Sequence, residues 1–462
     1  VKTYDVIIIG GGPSGLVMGL ATRKLYPGKS VLIITQEKKG LVPCGIPYIF
    51  HDLGSVEKDE LGLNPFLESG GEVLYSEVKN VDIKKKRVFM RSGRFRYYKK
   101  LVLATGSIPV EPAFIKGYAL KGVEYIHKGY EQMKKLKEKV YYADNITVIG
   151  GGFIGVEVAE QIAKDPSKNV TLIECERYCL GRVFSDQLCM EAEAAIKNTN
   201  INVVTGVRVD KMMWNDGKVT GLALMNGDII NTDLVIMAIG YKPYTELAAK
   251  AGLELTQSGA IKVDRYLRTS VDDICAIGDC AEKVGFITGS ENGIMLASTA
   301  TAEARVLAYN LFGIQLKRNF QGTIGIFSTR INGLTLAAAG VNEKIAERAG
   351  ISYISGEFHG LDRHPGHFQD TSKLSVKLYA SPGDGGIIGG EIWGGKSTGE
   401  LINVVGMAIQ KRISVFELIS YQIGTHPLLT GPPTNYALIK AAEATIQRMN
   451  EEQYEVNKTG LA

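Results

Sequence analysis

Two strand–glycine turn–helix–strand units, at 4–35 and 146–174, and a change of pattern from about residue 325 predict an α/β chain. It has two Rossmann-like dinucleotide-binding domains followed by a C-terminal α+β domain. In the first unit YDVIIIG is a β-branched run broken by GGPSG; GLVMGLATRKLY then has helical spacing, and SVLIIT returns as a strand. In the second, ITVIG, GGFIG, VEVAEQIAKD and NVTLIE repeat that order, an internal duplication of architecture. The length of 462 residues, 45% of them hydrophobic, suits two to four domains with large cores.

The glycines carry the first functional signal. Gly10, Gly12 and Gly15 fit GxGxxG directly after a strand, with Pro13 and Ser14 opening the helix. Gly10 permits the tight turn, Gly12 lets the backbone approach a pyrophosphate, and Gly15 lets helix and strand pack closely. Phosphates then rest on free N–H groups at the helix N-terminus. Gly150, Gly152 and Gly155 repeat the pattern, with Phe153 and Ile154 in the opening positions. An acidic residue is expected about twenty positions on. In the second unit it is Glu174, whose carboxylate accepts from a ribose diol and repels a 2′-phosphate. That favours NADH over NADPH, although Arg177 and Arg182 keep NADPH open. In the first unit Thr35 stands at that place, and Gln36 or Glu37 is expected to take over the ribose contact.

Two further segments mark the first unit as a flavin site. LVLATG ends a strand on the small residues Ala104, Thr105 and Gly106, as a chain passing close to a cofactor does. DDICAIGD ends on Gly278 and Asp279, a carboxylate suited to ribityl hydroxyls. MAIGYKP, with Gly240, is a similar strand end leading out of the second unit. Between the units, the basic stretch Lys79 to Lys100 alternates around Ser92-Gly93 and reads as a hairpin, either simply solvated or a landing surface for an anion. After 325, TIGIFSTRINGLTLAAAGV reads as strands and VNEKIAERAG as a helix. KLSVKLYA and GIIGGEIWG follow as strands, then long helices near 398–420 and 435–450 and a polar tail after about 452.

Composition excludes several classes. A net charge of +4 is too small to argue for nucleic acid. Six cysteines without framework spacing suit a reducing, cytoplasmic setting. Cys175 and Cys179 lack a second ligand pair, and His359, His364 and His367 sit in a loop rich in Pro, Gly and Asp, so no metal is expected. No apolar run reaches the roughly 18 residues of a membrane span, and the N-terminus enters a strand without a charged-then-apolar leader.

The ordered set GxGxxG, ATG, GGFIGVE, AIGYKP and AIGD resembles the FAD-dependent pyridine nucleotide-disulfide oxidoreductases over essentially the whole chain. The resemblance implies an FAD domain in two segments, 1–115 and 245–324. An NAD(P)H domain at 116–244 lies between them, and a dimerisation domain at 325–462 makes a homodimer. It implies Asp279 as the ribityl ligand, adds Val78 and Ala297 to the FAD contacts, and puts Glu157 near the nicotinamide–flavin contact.

Cys44, in GLVPCGIPY, has no second cysteine before Cys175. This resembles the single-cysteine branch: coenzyme A-disulfide reductases, NAD(P)H sulfur or persulfide reductases, NADH oxidases and NADH peroxidases. At a helix N-terminus the Cys44 thiol is expected to be lowered below its ordinary value of about 8.5. Peroxidases and many oxidases of this branch carry a His in the first glycine loop, and GGGPSG has none. The resemblance therefore implies reduction of a small disulfide or persulfide of coenzyme A type. The alternatives are an NADH oxidase using oxygen, and an electron-transfer flavoprotein reductase in which Cys44 is structural. By the same resemblance Arg23 and Lys24 stand where substrate phosphates bind. Tyr421, His364 and His426 are candidates to reach the partner's active site, where a His can protonate a leaving thiolate.

Overall fold

A computed structural model of the chain describes residues 2–316 and 319–459. The first sheet has the order Glu72–Tyr75, Val31–Thr35, Thr3–Ile9, Phe95–Leu103, Arg87–Met90, Val78–Asp82, with Ile274–Ala276 also paired to Phe95–Leu103. Its centre is parallel, so both faces are covered and the strands are continuous apolar runs such as Val6 to Ile9. Helices Pro13–Leu25 and Ala297–Asn310 pack together against this sheet. The basic stretch forms its antiparallel edge, turning at Gly93 with φ +80°. Most of its charges are paired within the fold, among them Lys86 and Lys100 with Asp273, Arg87 with Asp82, and Lys99 with Asp5.

The second sheet is parallel throughout, in the order Val123–Tyr125, Leu234–Met237, Asn145–Ile149, Asn169–Glu174, Ile201–Thr205. The chain passes from the first sheet to the second and back at one place. Ser107–Pro109 on the way out pairs antiparallel with Tyr241–Pro243 on the return.

The third sheet is antiparallel, in the order Ile326–Ile331, Leu334–Gly340, Ile387–Gly394, Lys373–Ala380, Ile354–Leu361. Helices Thr398–Lys411 and Ala437–Thr459 cover it. The helix expected over 398–420 is two helices. Arg412 adopts φ +57° and ends the first, and Ser414 with Glu417 forms a capping box that starts Val415–Leu418. The segment after 452, expected as a polar tail, continues the helix to Thr459. Strand Ile354–Leu361 carries no strong sequence signal because glycines interrupt it. Gly356 is needed where the last helix crosses, since a Cβ there would lie 2.2 Å from the Thr445 amide nitrogen.

Candidate active site

Strand register brings distant motifs to one edge. Ile9 pairs with Ile34 and with Leu103, and Leu103 pairs with Ala276. The residues that follow, Gly10, Thr35, Ala104 to Gly106, and Gly278-Asp279, therefore meet beyond the carboxyl ends of the strands, where ligands bind in such sheets. In the second sheet Ile149 pairs with Ile173 and Met237, which brings Gly150, Glu174 and the Ala238–Gly240 turn together.

The glycines divide by what surrounds them. A Cβ on Gly10 would lie 2.0 Å from the Ala104 carbonyl oxygen, and one on Gly15 2.0 Å from that of Gly10. Gly12 has nothing within 4 Å. The second turn repeats this: Gly150 would meet the Ala238 oxygen at 2.5 Å and Gly155 the Gly150 oxygen at 1.8 Å, while Gly152 is open. Two glycines of each set close the turn against the helix, and the third offers bare backbone at a helix N-terminus. These cradles fit the pyrophosphates of two dinucleotides.

One cavity of about 900 Å³ joins the two cradles. Gly10, Gly12, Pro13, Ser14, Thr35, Gln36, Glu37, Val78, Ala104, Thr105, Gly106, Asp279 and Ala297 line it on the side of the first glycine turn. Gly152, Phe153, Ile154, Glu157 and Gly240 line it from the other side, and Cys44 lies between. Gly15, Gly150, Gly155 and Gly278 are packed behind the wall; Gly278, at φ +74°, presses on Ser14. Glu174, which does not line the cavity, lies beside the second turn, where its Oε2 accepts from the Gly151 amide at 2.6 Å and its Oε1 from that of Glu176 at 2.8 Å.

Several residues that sequence reasoning missed build the wall. Asp279 accepts from Ser107 Oγ at 2.8 Å and Lys128 Nζ at 2.7 Å, and Lys128 also lies over the Tyr241 ring. Burial would raise the Asp279 carboxyl, but Lys128 and Ser107 outweigh it and hold the group below its ordinary value. Behind it, the buried Lys283 donates to the carbonyls of Gly278 and Ala281 and pairs with Glu303 at 3.0 Å. Glu303 in turn accepts from the Gly278 amide at 2.8 Å. A buried ion pair thus pins the turn that presents Asp279.

Cys44 sits in the turn Pro43–Gly45, exposed to the cavity. A single 3-10 helix, Ile46–Phe50, follows it. The lowered thiol expected from sequence is not what this environment gives. Burial within the cavity walls pushes it above its ordinary value; Glu157, Asp59 and Asp279 add to the rise, and Lys128 opposes it. A helix of this length has almost no dipole to offer, and the carboxylates outnumber the one cation. Glu157 accepts from the Thr329 hydroxyl at 2.7 Å, and burial pushes its carboxyl up to about 7. Phe153 stacks on Phe327 of the third sheet, with 5.4 Å between ring centres and 6° between planes.

The remaining candidates lie elsewhere. Arg23 donates to backbone carbonyls, Nε to Ser69 and Nη1 to Pro27 and Lys29, and so staples loops. Lys24 is exposed at the end of the same helix. His364, His426 and Tyr421 do not line this cavity within one chain. The two histidine loops nevertheless touch: His364 donates its amide to the Pro427 carbonyl at 3.2 Å, and its Nδ1 meets the Thr430 carbonyl at 3.0 Å. Leu428 and Leu429, in the His426 loop, are exposed, as is Tyr421. Among the described residues no group of His, Cys, Asp or Glu is placed to hold a metal, and no helix is long and apolar enough to cross a membrane.

Comparison with known proteins agrees with this geometry. Residues 4–304 match the family described as pyridine nucleotide-disulphide oxidoreductase, and residues 326–436 match its dimerisation domain. An NAD(P)H coenzyme A polysulfide/persulfide reductase of Pyrococcus horikoshii is 32% identical over 362 residues, 75% of this chain and 77% of that protein. An NADH oxidase of Methanocaldococcus jannaschii is 27% identical over 458 residues, 96% of this chain and 99% of that protein. The solved NAD-dependent persulfide reductase of A. fulgidus superposes with a TM-score of 0.87 at 28% identity, covering 96% of this chain and 84% of that one.

Proposed function

The chain belongs to the pyridine nucleotide-disulphide oxidoreductase family, and from that premise we propose that it reduces a low-molecular-weight disulfide or persulfide, of coenzyme A type, through Cys44 alone. It is an oxidoreductase whose cofactors are FAD and NAD(P)H. When bound, these supply an electron pair. The carboxylate of Glu174 beside the second glycine turn supports NADH as the preferred donor.

The observation that carries the reading is the place of Cys44. It is the cysteine that lines the cavity joining the two cradles. Cys179, Cys189, Cys275 and Cys280 are buried, and Cys175 is exposed away from the cavity lining. The reaction assigned to Cys44 balances as follows: Cys44–S–S–R with two electrons and two protons gives Cys44–SH and R–SH. The printed activity of the P. horikoshii relative supports that substrate class. The chain's own residues bind and orient. Asp279 accepts from hydroxyls of the flavin chain, the open Gly12 and Gly152 receive phosphates, and Phe153 and Glu157 flank the cavity beside Cys44. In a homodimer, His364 and His426 on their touching loops, together with the exposed Tyr421, are the groups we assign to the partner's cavity as proton donors.

Intact-mass measurement before and after a thiol reductant tests the reading, with a releasable adduct on Cys44 expected. Anaerobic NADH titration is expected to show one electron pair beyond the flavin's capacity, lost in Cys44→Ser. Uptake that stops at the flavin overturns the proposal. Mixed dimers of Cys44→Ser and His426→Ala are expected to recover part of the activity if the histidine serves across the interface. The full-length likeness to the M. jannaschii protein favours oxygen as a second acceptor. Rapid oxygen consumption that survives Cys44→Ser would establish that reading instead.

A further inference from the structure

A buried acid lies beneath the reactive turn. Asp59 is 4% exposed, and its Oδ2 is buried without a hydrogen-bond partner. Its Oδ1 presses on Gly45, the residue after Cys44, so closely that a Cβ there would lie 1.8 Å away. The backbone locks this arrangement: the Val42 amide donates to the Asp59 carbonyl at 2.9 Å, and the Gly45 amide donates to the Val42 carbonyl at 2.8 Å. The neighbouring charges are turned elsewhere. Glu57 binds the Tyr130 hydroxyl, Glu60 pairs with Lys39, and Lys58 is exposed. Burying a carboxyl without a partner is costly, and nothing in the local packing returns that cost.

Four charged or titratable groups act on the Cys44 sulfur: Glu157 from the helix across the cavity, Asp279 from the flavin side, Lys128, and Asp59 from below. Lys128 is committed to Asp279 and Ser107. Asp59 is the one of these groups whose carboxylate lies against the turn itself, at Gly45. Burial moves its carboxyl up to about 6, into the range where it changes state near neutral pH.

We propose that Asp59 is a positioning residue that governs the charge of Cys44 from beneath its turn, its ionised carboxylate opposing the thiolate and holding the sulfur protonated. The inference rests on Cys44 as the reacting sulfur.

The test uses the full-length flavin-loaded protein. Iodoacetamide alkylation of Cys44 is followed by the mass of its peptide from about pH 6 to about pH 10, with thermal unfolding measured over the same range. Asp59→Asn is expected to lower the alkylation midpoint, to speed alkylation near pH 8 about 3- to 10-fold, and to raise Tm there. Asp59→Ser, smaller and also neutral, is expected to shift the midpoint in the same direction should the Asn variant fold poorly. Glu60→Gln, exposed and one residue on, should leave the midpoint in place. An unchanged or raised midpoint in both Asp59 variants overturns the proposal, as does a lowered Tm in Asp59→Asn without a midpoint shift, which marks a structural role alone. Alkylation needs no electron transfer, so the NADH titration of Cys44→Ser fails or succeeds independently.

Discussion

Glu157 sits where one family of residues meets another: it is rooted in the helix of the second glycine turn, yet its hydrogen bond comes from Thr329 of the third sheet. Burial raises its carboxyl from its ordinary value to about 7. The native state therefore holds a proton on it that the unfolded chain releases, and the stability linked to that proton is lost as pH rises from about 4.5 to about 7. Glu157→Gln escapes that loss. Its Tm relative to the parent is expected to climb through this window and then level off, a difference on the order of 1 kcal/mol after solvent screening at a cavity wall. A flat Tm difference across the window would place Glu157 in contact with water instead. At this scale the sequence was informative where backbone geometry demands a residue type. Gly10, Gly12 and Gly15 announce themselves because side chains cannot replace them there. Lys128, Ser107 and Asp59 left no trace, because an ordinary polar residue acquires its role only from what the fold sets against it.

Elements explain which glycines tolerate change. Gly152 caps the helix Phe153–Ala163 at an ordinary φ of −74° with nothing near its Cβ position. Gly152→Ala is expected to keep the parent's Tm while raising KM for NADH at least about 10-fold, since the methyl occupies the phosphate approach. Gly155→Ala puts a methyl 1.8 Å from the Gly150 oxygen and is expected to cost stability outright, about 1–3 kcal/mol by denaturant unfolding. Equal loss of stability in both would remove the distinction between cradle and packing glycine. The strand at 373–380 was legible because Leu374, Val376 and Leu378 alternate with polar residues, and that at 387–394 because Ile387, Ile388, Ile392 and Trp393 are β-formers. The break at Arg412 was not, because a left-handed arginine follows from the register of the helix with Ser414 and Glu417, not from its own propensity.

Across the whole molecule, the Cys44 segment packs with the second sheet's core, not with the flavin side's. Leu41, Ile46 and Ile49 share a cluster with Val156, Ile162 and Leu172. Lys137 donates to the Ile49 carbonyl at 2.5 Å, and Asp52 binds both Gln161 and Lys164. Cys44 and the second glycine cradle are therefore held by one core. On the third unit, Val404 and Met407 are exposed on one face of the helix Thr398–Lys411. Met407→Glu is expected to shift the protein from dimer to monomer in light scattering, with retained flavin and lost disulfide turnover; an unshifted mass would place the subunit contact elsewhere. The overall plan was readable from order alone, since duplicated glycine turns and strand ends recur in sequence. How the units touch was not, because those contacts join residues more than a hundred positions apart, such as Glu160 with Asn332.

The paired segments Ser107–Pro109 and Tyr241–Pro243 give the nicotinamide unit a single doorway: the polypeptide leaves and re-enters the flavin unit side by side. Loops between those two threads can be lengthened or shortened without cutting a strand of the flavin sheet, but the helix Phe153–Ala163 has to stay, because the Cys44 segment packs on it. The second unit is thus tethered to the flavin sheet by two adjacent threads and clasped to the Cys44 segment by a shared core.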